Sequence, residues 1–345
     1  MKSYVFPGII EDEILQIGMQ QIPYMRTAAF STVVKDCEKY LLQLIGCTNG
    51  RVIPYTASGT AAMDAIVANY ITQKKKTLVI AGGSFGYRWK ELCCFYNCKH
   101  EVFEVPFAQD INYDLLAEKI EAFQPEALLC QHHETSTGQL FDLEKISLIC
   151  QKHKVSLIVD AISSFLADPL DMDKLKLDAC IISSQKGLNI PPGLSLIILS
   201  EKMLKENFAK RSYYLDFEEN LKNLERGQTP YSPATILFLQ LHARLEQNIK
   251  LGASKIIENT KDKALYFRKL CKQNGWEIPA ENPSNSITGF FVHRNGDILF
   301  SELLKKNIQI MPGGTPHYFR VSHLGLQTYD DLEELANAIK EIEYR

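Results

Sequence analysis

The chain has 345 residues, 46% of them hydrophobic and 23% charged, with a formal net charge of -3 and a pI near 6.3. That length suits one large and one small domain, and the interleaving of lysines with acids leaves no basic face, which argues against nucleic acid as a partner. The opening "MKSYVFPGII" lacks the apolar core of a signal peptide, no stretch has the length to span a bilayer, and the nine cysteines lie mostly in apolar segments without metal-ligand spacing; a cytoplasmic protein with reduced thiols, no membrane contact and no zinc is expected.

In chain order, a strand over Arg51–Tyr55 runs into "TASGTAAMDAIVANY", where Ser58, Gly59 and Thr60 open an apolar-periodic helix. Free backbone N–H groups and hydroxyls at that point make an anion site suited to a phosphate, with an ordinary serine N-cap as the plainer alternative. The strand "TLVIA", 77–81, leads to "GGSFGYRW", whose glycines let a flat ligand approach Phe85, unless Phe85 is a core aromatic. A helical period over Tyr113–Phe123 precedes "ALLCQHH", 127–133, after which Glu134 and Thr135 stand in a polar turn.

Leu143–His153 is the next helical segment, and "VSLIVD", 155–160, then carries Asp160 straight out of a buried strand, where an unpaired charge is costly. "ACIISS", 179–184, ends at Gln185 and Lys186, and "LSLIILS", 194–200, closes the series. Continuous apolar strands joined by helical crossovers predict an α/β fold around a buried, mostly parallel sheet. Beyond it the pattern predicts one long helix, Ala234–Lys272, then the strand "SITGFFVH", 286–293, a helix near Asp297–Lys306, the turn "MPGGTP", the strand "HYFRVSH" and a helix from Tyr329.

Ligands of such sheets gather at the carboxyl ends of the strands. A lone lysine there reads as surface charge, but Lys186 shares its rim with Asp160 and with an anion site. Those parts match the needs of pyridoxal phosphate: an amine for the aldehyde, a carboxylate for the ring nitrogen and a helix start for the phosphate. No group of residues suggests a metal.

The segments "SGTAAMDAIVAN", "GSFGYRW", "HHETSTGQLFDL", "LIVDAISSF", "SSQKGLNIPPGLSLIILSEK" and "FRVSHLG" resemble, in order and separation, the class V aminotransferases of fold type I, especially the branch of alanine-glyoxylate, serine-pyruvate and 2-aminoethylphosphonate-pyruvate aminotransferases. The resemblance implies a large cofactor domain over 15–250 and a small α+β domain over 251–345, which residues 1–14 can join. It implies Lys186 as the lysine that bonds the cofactor, Asp160 on the pyridine nitrogen, Phe85 and Ile162 on the two ring faces, and Thr135 on the ring hydroxyl. Ser58, Gly59, Thr60 and Gln185 are then the phosphate ligands, completed by Thr229 of the other subunit in a homodimer, and Arg320 grips the substrate's anionic end. The implied activity is ping-pong transfer of an amino group from a small amino acid or aminoalkyl donor to pyruvate or glyoxylate, with a cysteine desulfurase type of lyase as the rival. Three departures concern the substrate side: "YVFPGII" stands where the family has a glycine-proline loop, "YMRTAAF" places Arg26 where a histidine-arginine pair is common, and Arg226 replaces an aromatic residue.

Overall fold

The computed structural model describes residues 1–345. Seven strands, β1 (Arg51–Tyr55), β2 (Thr77–Ala81), β3 (His100–Glu104), β4 (Ala127–Gln131), β5 (Ser156–Asp160), β6 (Ala179–Ser183) and β7 (Ser195–Leu199), form one sheet in the order β1-β7-β6-β5-β4-β2-β3. From β6 to β3 every pairing is parallel, whereas β7 runs antiparallel to both β6 and β1. Strands β2 and β4 to β7 are buried along their whole length, as their unbroken Val, Ile and Leu runs require of a sheet covered on both faces. β3, "HEVFE", is half-exposed because it is the edge strand, and its charged residues hide it from an apolar-run search.

The parallel register puts the carboxyl ends of β1, β2, β4, β5 and β6 on one rim. Helix α1 (Gly59–Asn69) leaves the end of β1 and helix α2 (Ser84–Phe95) leaves the end of β2. The helices over Tyr113–Phe123 and Leu143–His153 start under the side-chain caps of Asn112 and Asp142 and serve as crossovers between parallel strands.

The single helix expected over Ala234–Lys272 is two helices, α3 (Thr235–Leu251) and α4 (Ala253–Gln273). The break is Gly252 at φ 84° and ψ 141°, a conformation glycine adopts at little cost, and the charged periodicity continues across it. Beyond α4, strands β8 (Ile287–Phe291), β9 (Met311–Pro312) and β10 (Tyr318–Ser322) make an antiparallel sheet in the order β8-β10-β9, backed by helices over Gly296–Lys305 and Tyr329–Glu343.

Two separate apolar cores result. The larger has 63 buried residues from Ile14 to Leu245, enough to hold the seven-stranded sheet by itself, and the smaller has 18, from Phe267 to Ile342 together with Tyr4. Tyr4 belongs there because Lys2–Ser3 pairs with Ile308–Gln309 and the Tyr4 hydroxyl donates to the Asp331 carbonyl at 2.5 Å.

Candidate active site

Asp160 is the last residue of β5 and is 5% exposed; one carboxylate oxygen accepts the Ile162 N–H at 2.8 Å. Burial pushes its pKa up to about 7, the Ile162 N–H works against that, and the Glu134 charge reinforces it. Lys186 follows the end of β6 in a loop closed by the Asn189 N–H donating to the Lys186 carbonyl at 2.8 Å. Burial drives its pKa down to about 7, against the pull of Asp160, while Arg320 pushes the same way as burial. The amine and the carboxylate sense each other's charge without closing into an ion pair, so each remains open to a third group.

The start of α1 has no side-chain cap. Ser58 sits at the N-cap position, yet its hydroxyl caps no helix N–H, so the plain N-cap reading does not describe it. A Cβ on Gly59 would lie 2.5 Å from Ile162 Cδ1, so that turn packs directly against the residue two places past Asp160. Thr60 Oγ1 accepts from Arg88 Nη1 at 3.1 Å, and the Arg88 guanidinium lies 4.8 Å over the Phe85 ring. Phe85 is half-exposed and belongs to neither core, which removes the core-aromatic alternative. Gln185 turns its amide oxygen toward Ser183 Oγ, 3.0 Å away.

Glu134, fully buried, accepts from the N–H groups of Phe85, Gly86 and Ser136, so it fixes the loop that carries Phe85. Thr135 Oγ1 donates to Ser163 Oγ at 2.7 Å. Arg320, central in β10, reaches from the small sheet to this rim: Nη1 donates to the Thr135 carbonyl at 2.9 Å and Nη2 to the Pro312 carbonyl at 2.8 Å, while its buried Nε–H has no partner. Its strand neighbours Phe319 and Val321 are buried in the small core, as alternation demands.

Thr229 lies apart from these groups, donating to the Tyr231 carbonyl at 2.7 Å and holding Arg26 through its own carbonyl at 2.7 Å. Arg26 also reaches the Pro230 carbonyl and so supports the Thr229 loop, whereas Arg226 donates to Asn223 in the helix before it.

Sequence reasoning passed over three residues at the rim. Arg88 stands one helical turn after Phe85 inside a motif already singled out, a spacing that places both on one face. Phe6 sets its ring 3.7 Å from the Lys186 amine, across a sequence separation that no local pattern could reveal. His133 is 2% exposed with both ring nitrogens unpartnered, and burial, then His132 and Lys186, keep it neutral.

A family model, aminotransferase class-V, matches residues 22–327. The soluble hydrogenase 42 kDa subunit of Anabaena cylindrica is 30% identical over 344 residues, covering 95% of this chain and 89% of that protein. The serine–glyoxylate aminotransferase of Hyphomicrobium methylovorum is 26% identical over 320 residues, covering 88% and 79%. Among solved structures, the subgroup IV aspartate aminotransferase of Thermus thermophilus superposes with a TM-score of 0.91 at 24% identity over 99% of this chain and 98% of that one. The chain belongs to the class V aminotransferase family and is a pyridoxal phosphate-dependent aminotransferase of fold type I.

The residues present fit that cofactor. An unused hydroxyl and a glycine turn head α1, a buried carboxyl with no cation stands at the end of β5, and a buried amine with no acid partner stands beyond β6. The carboxyl and the amine are arrangements that cost free energy unless a ligand completes them, and the exposed Ser58 hydroxyl is open to one.

Proposed function

We propose that the enzyme moves an amino group from a small donor of the alanine, serine or 2-aminoethylphosphonate type to pyruvate or glyoxylate, in two alternating half-reactions, with carboxylate donors preferred. The observation that carries this reading is the fixed, half-buried guanidinium of Arg320, whose two terminal nitrogens each give one hydrogen to the Thr135 or Pro312 carbonyl and keep a second for an anion. A carboxylate so held stands on the same rim as the Lys186 amine.

Bound pyridoxal phosphate supplies the carbonyl carbon that receives the amino group and the ring that makes the donor's α hydrogen acidic. Lys186, with its pKa brought down to about 7, has a free amine at neutral pH to take the α proton at Nζ and return it across the reacting face. Asp160 offers its carboxylate to the ring N–H, and a cation there returns the buried carboxyl to its charged form. Ser58, Gly59, Thr60 and Gln185 hold the phosphate, Arg88 ties Thr60 to the ring-stacking Phe85, Ile162 covers the other face and the Thr135 hydroxyl meets the ring hydroxyl.

We assign this cofactor-binding unit to 15–250 and the substrate-gripping unit to 251–345, which the start of residues 1–14 joins through Tyr4 while Ile14 packs in the larger core. The enzyme is a homodimer in this reading, with Thr229 completing the partner's phosphate site, and sedimentation should give twice the chain mass. A lyase of the cysteine desulfurase kind calls for a mobile cysteine by the lysine; seven of the nine cysteines are buried, and Cys94 and Cys98 lie at the far end of α2. The test is a panel of amino donors offered to the holoenzyme with pyruvate or glyoxylate. Alanine, serine or 2-aminoethylphosphonate should turn over with parallel-line kinetics, and sulfur release from cysteine with no amino transfer would overturn the reading.

A further inference from the structure

Beyond the end of β5 the chain winds through consecutive turns from Asp160 to Asp168, the Phe165 N–H donating to the Ala161 carbonyl at 2.9 Å and the Asp168 N–H to the Ser164 carbonyl at 2.8 Å. Its first residues, Asp160 and Ile162, are those assigned above to the cofactor ring. Its middle lies against the lysine loop: a Cβ on Gly187 would lie 1.9 Å from the Phe165 carbonyl oxygen, so the residue after Lys186 has no room for a side chain. Its far end is Asp168, a carboxylate only 1% exposed that the chemistry at the rim does not use.

Asp168 reaches into the other unit. Oδ2 accepts the Ser284 hydroxyl and Oδ1 accepts the Asn285 N–H at 2.9 Å, while the Asn285 side-chain amide donates to the Ala167 carbonyl at 3.1 Å. Ser284 is fully buried and is bound from its own unit as well, because Arg268 of α4 donates through Nη2 to the Ser284 carbonyl and through Nε to Thr288 Oγ1 in β8 at 3.3 Å. Acid and guanidinium thus offset each other's charge across one serine. Burial pushes Asp168 up to about 6, against Asn285, Ser284 and Arg268, so it is mainly charged at neutral pH; burial brings Arg268 down to about 10, against the pull of Asp168. The same 282–286 linker is laid along the turn after Thr135, with the Ser284 N–H donating to the Gly138 carbonyl at 3.0 Å and the Leu140 N–H to the Asn282 carbonyl at 2.8 Å.

β8 starts at Ile287, directly after this linker, and its Gly289 is paired opposite Arg320 on β10. A short path of bonds therefore runs from Asp168 through Ser284 and Asn285 into the strand beside Arg320. One stretch of chain, residues 160–168, faces the cofactor with one end and holds the arginine's sheet with the other. We propose that Asp168 is a positioning residue for amino-group transfer: by holding Ser284 and Asn285 it sets where Arg320 stands relative to Lys186, and with it the placing of the donor. The proposal rests on the assignment of Arg320 to the donor's anionic end. A misplacement of about 1 Å, made far from the reacting atoms, can cost on the order of 100-fold in rate, so a buried, charged anchor at this point has a catalytic consequence.

The test is a double-mutant cycle on the holoenzyme. Asp168→Asn, and Ser284→Ala as a milder variant that keeps the acid, are each made alone and together with Arg320→Lys. Asp168→Asn should lower kcat/KM for the fastest carboxylate donor at least about tenfold, mainly through KM and with the cofactor absorbance in place, and should add less than about threefold in the Arg320→Lys background. Ser284→Ala should move both quantities in the same direction, and it carries the comparison if Asp168→Asn does not fold. Amide hydrogen exchange, read without substrate, should speed at least about tenfold at Leu140 and Ser284 and stay as it was in β6. Unchanged exchange at both amides would mean that the linker is held without Asp168 and would overturn the proposal. So would faster exchange with losses that multiply in the double mutants, because the acid would then serve stability alone. A fully active Arg320→Lys enzyme would sink the assignment of Arg320 and this inference with it, whereas multiplying losses beside an impaired Arg320→Lys enzyme remove this inference only.

Discussion

Arg320 donates through Nη1 to the main-chain oxygen of Thr135 at 2.9 Å, so a strand of the small sheet is pinned to the turn whose side chain we assign to the cofactor ring. That hydrogen bond, with the Tyr318 hydroxyl donating to the Thr137 carbonyl at 2.7 Å, ties the proposed anion grip to the rim that carries Lys186. Arg320→Lys keeps the charge but can satisfy neither the two carbonyls nor the substrate with a planar fork. kcat/KM for carboxylate donors should fall at least about tenfold, roughly 1.4 kcal/mol, with cofactor affinity unchanged. Unaltered steady-state kinetics across the donor panel would place the anion site elsewhere.

Burial holds Lys186 down to about 7 and Asp160 up to about 7. In the apoenzyme, capture of the cofactor should therefore accelerate as pH rises through about 7, well below the ordinary lysine range. Asp160 raises the lysine's value, so Asp160→Asn should move that midpoint to lower pH, and stopped-flow mixing of apoenzyme with cofactor reads both. The signs for stability are opposite. Lys186 binds fewer protons folded than unfolded between about 7 and 10.5, so its contribution rises with pH in that window, whereas Asp160 binds more between 3.8 and about 7, so its contribution falls as pH rises there. Denaturant titrations of the apoenzyme should lose this fall in Asp160→Asn, so that its stability rises more steeply with pH between 3.8 and about 7 than the wild type's. A capture midpoint near 10 would contradict the buried environment of the amine.

Arg88 connects Thr60 to Phe85, the proposed phosphate ligand to the proposed stacking ring, and its charge also lowers the pKa of Asp160. Removing a charged hydrogen-bond donor from such a place costs on the order of 1.5–3 kcal/mol. Arg88→Met should weaken cofactor binding by roughly tenfold or more at little cost to the fold, because the side chain is only half-buried. Equilibrium dialysis with free cofactor decides it, and wild-type affinity would remove Arg88 from the site.

The legible part of this molecule is the part whose signal is local. Asp160 and Lys186 stand out because each ends an unbroken apolar strand, and Ser58–Thr60 because a helix period starts there. Arg88 was hidden by lying mid-helix, where an arginine is ordinary. β3 was hidden by the polarity of an edge strand, and the break at Gly252 by a charge pattern that ignores it. Phe6, Glu11 and Tyr4 were unreadable for another reason: their partners, Lys186, Arg244 and Asp331, lie far along the chain, and only the fold brings them together.

Tyr4 is counted in the small core with Ile308, Leu332 and Ile342, and Lys2 forms ion pairs with Asp331 and Glu334. During synthesis the segment made first must therefore wait for residues translated more than three hundred positions later. The seven-stranded sheet draws only on residues 51–199 and can assemble while translation continues, but the small unit cannot close before the ribosome has delivered Tyr329–Glu343. Its arginine, and with it the grip on substrate proposed above, becomes available only in the last stage of the molecule's assembly.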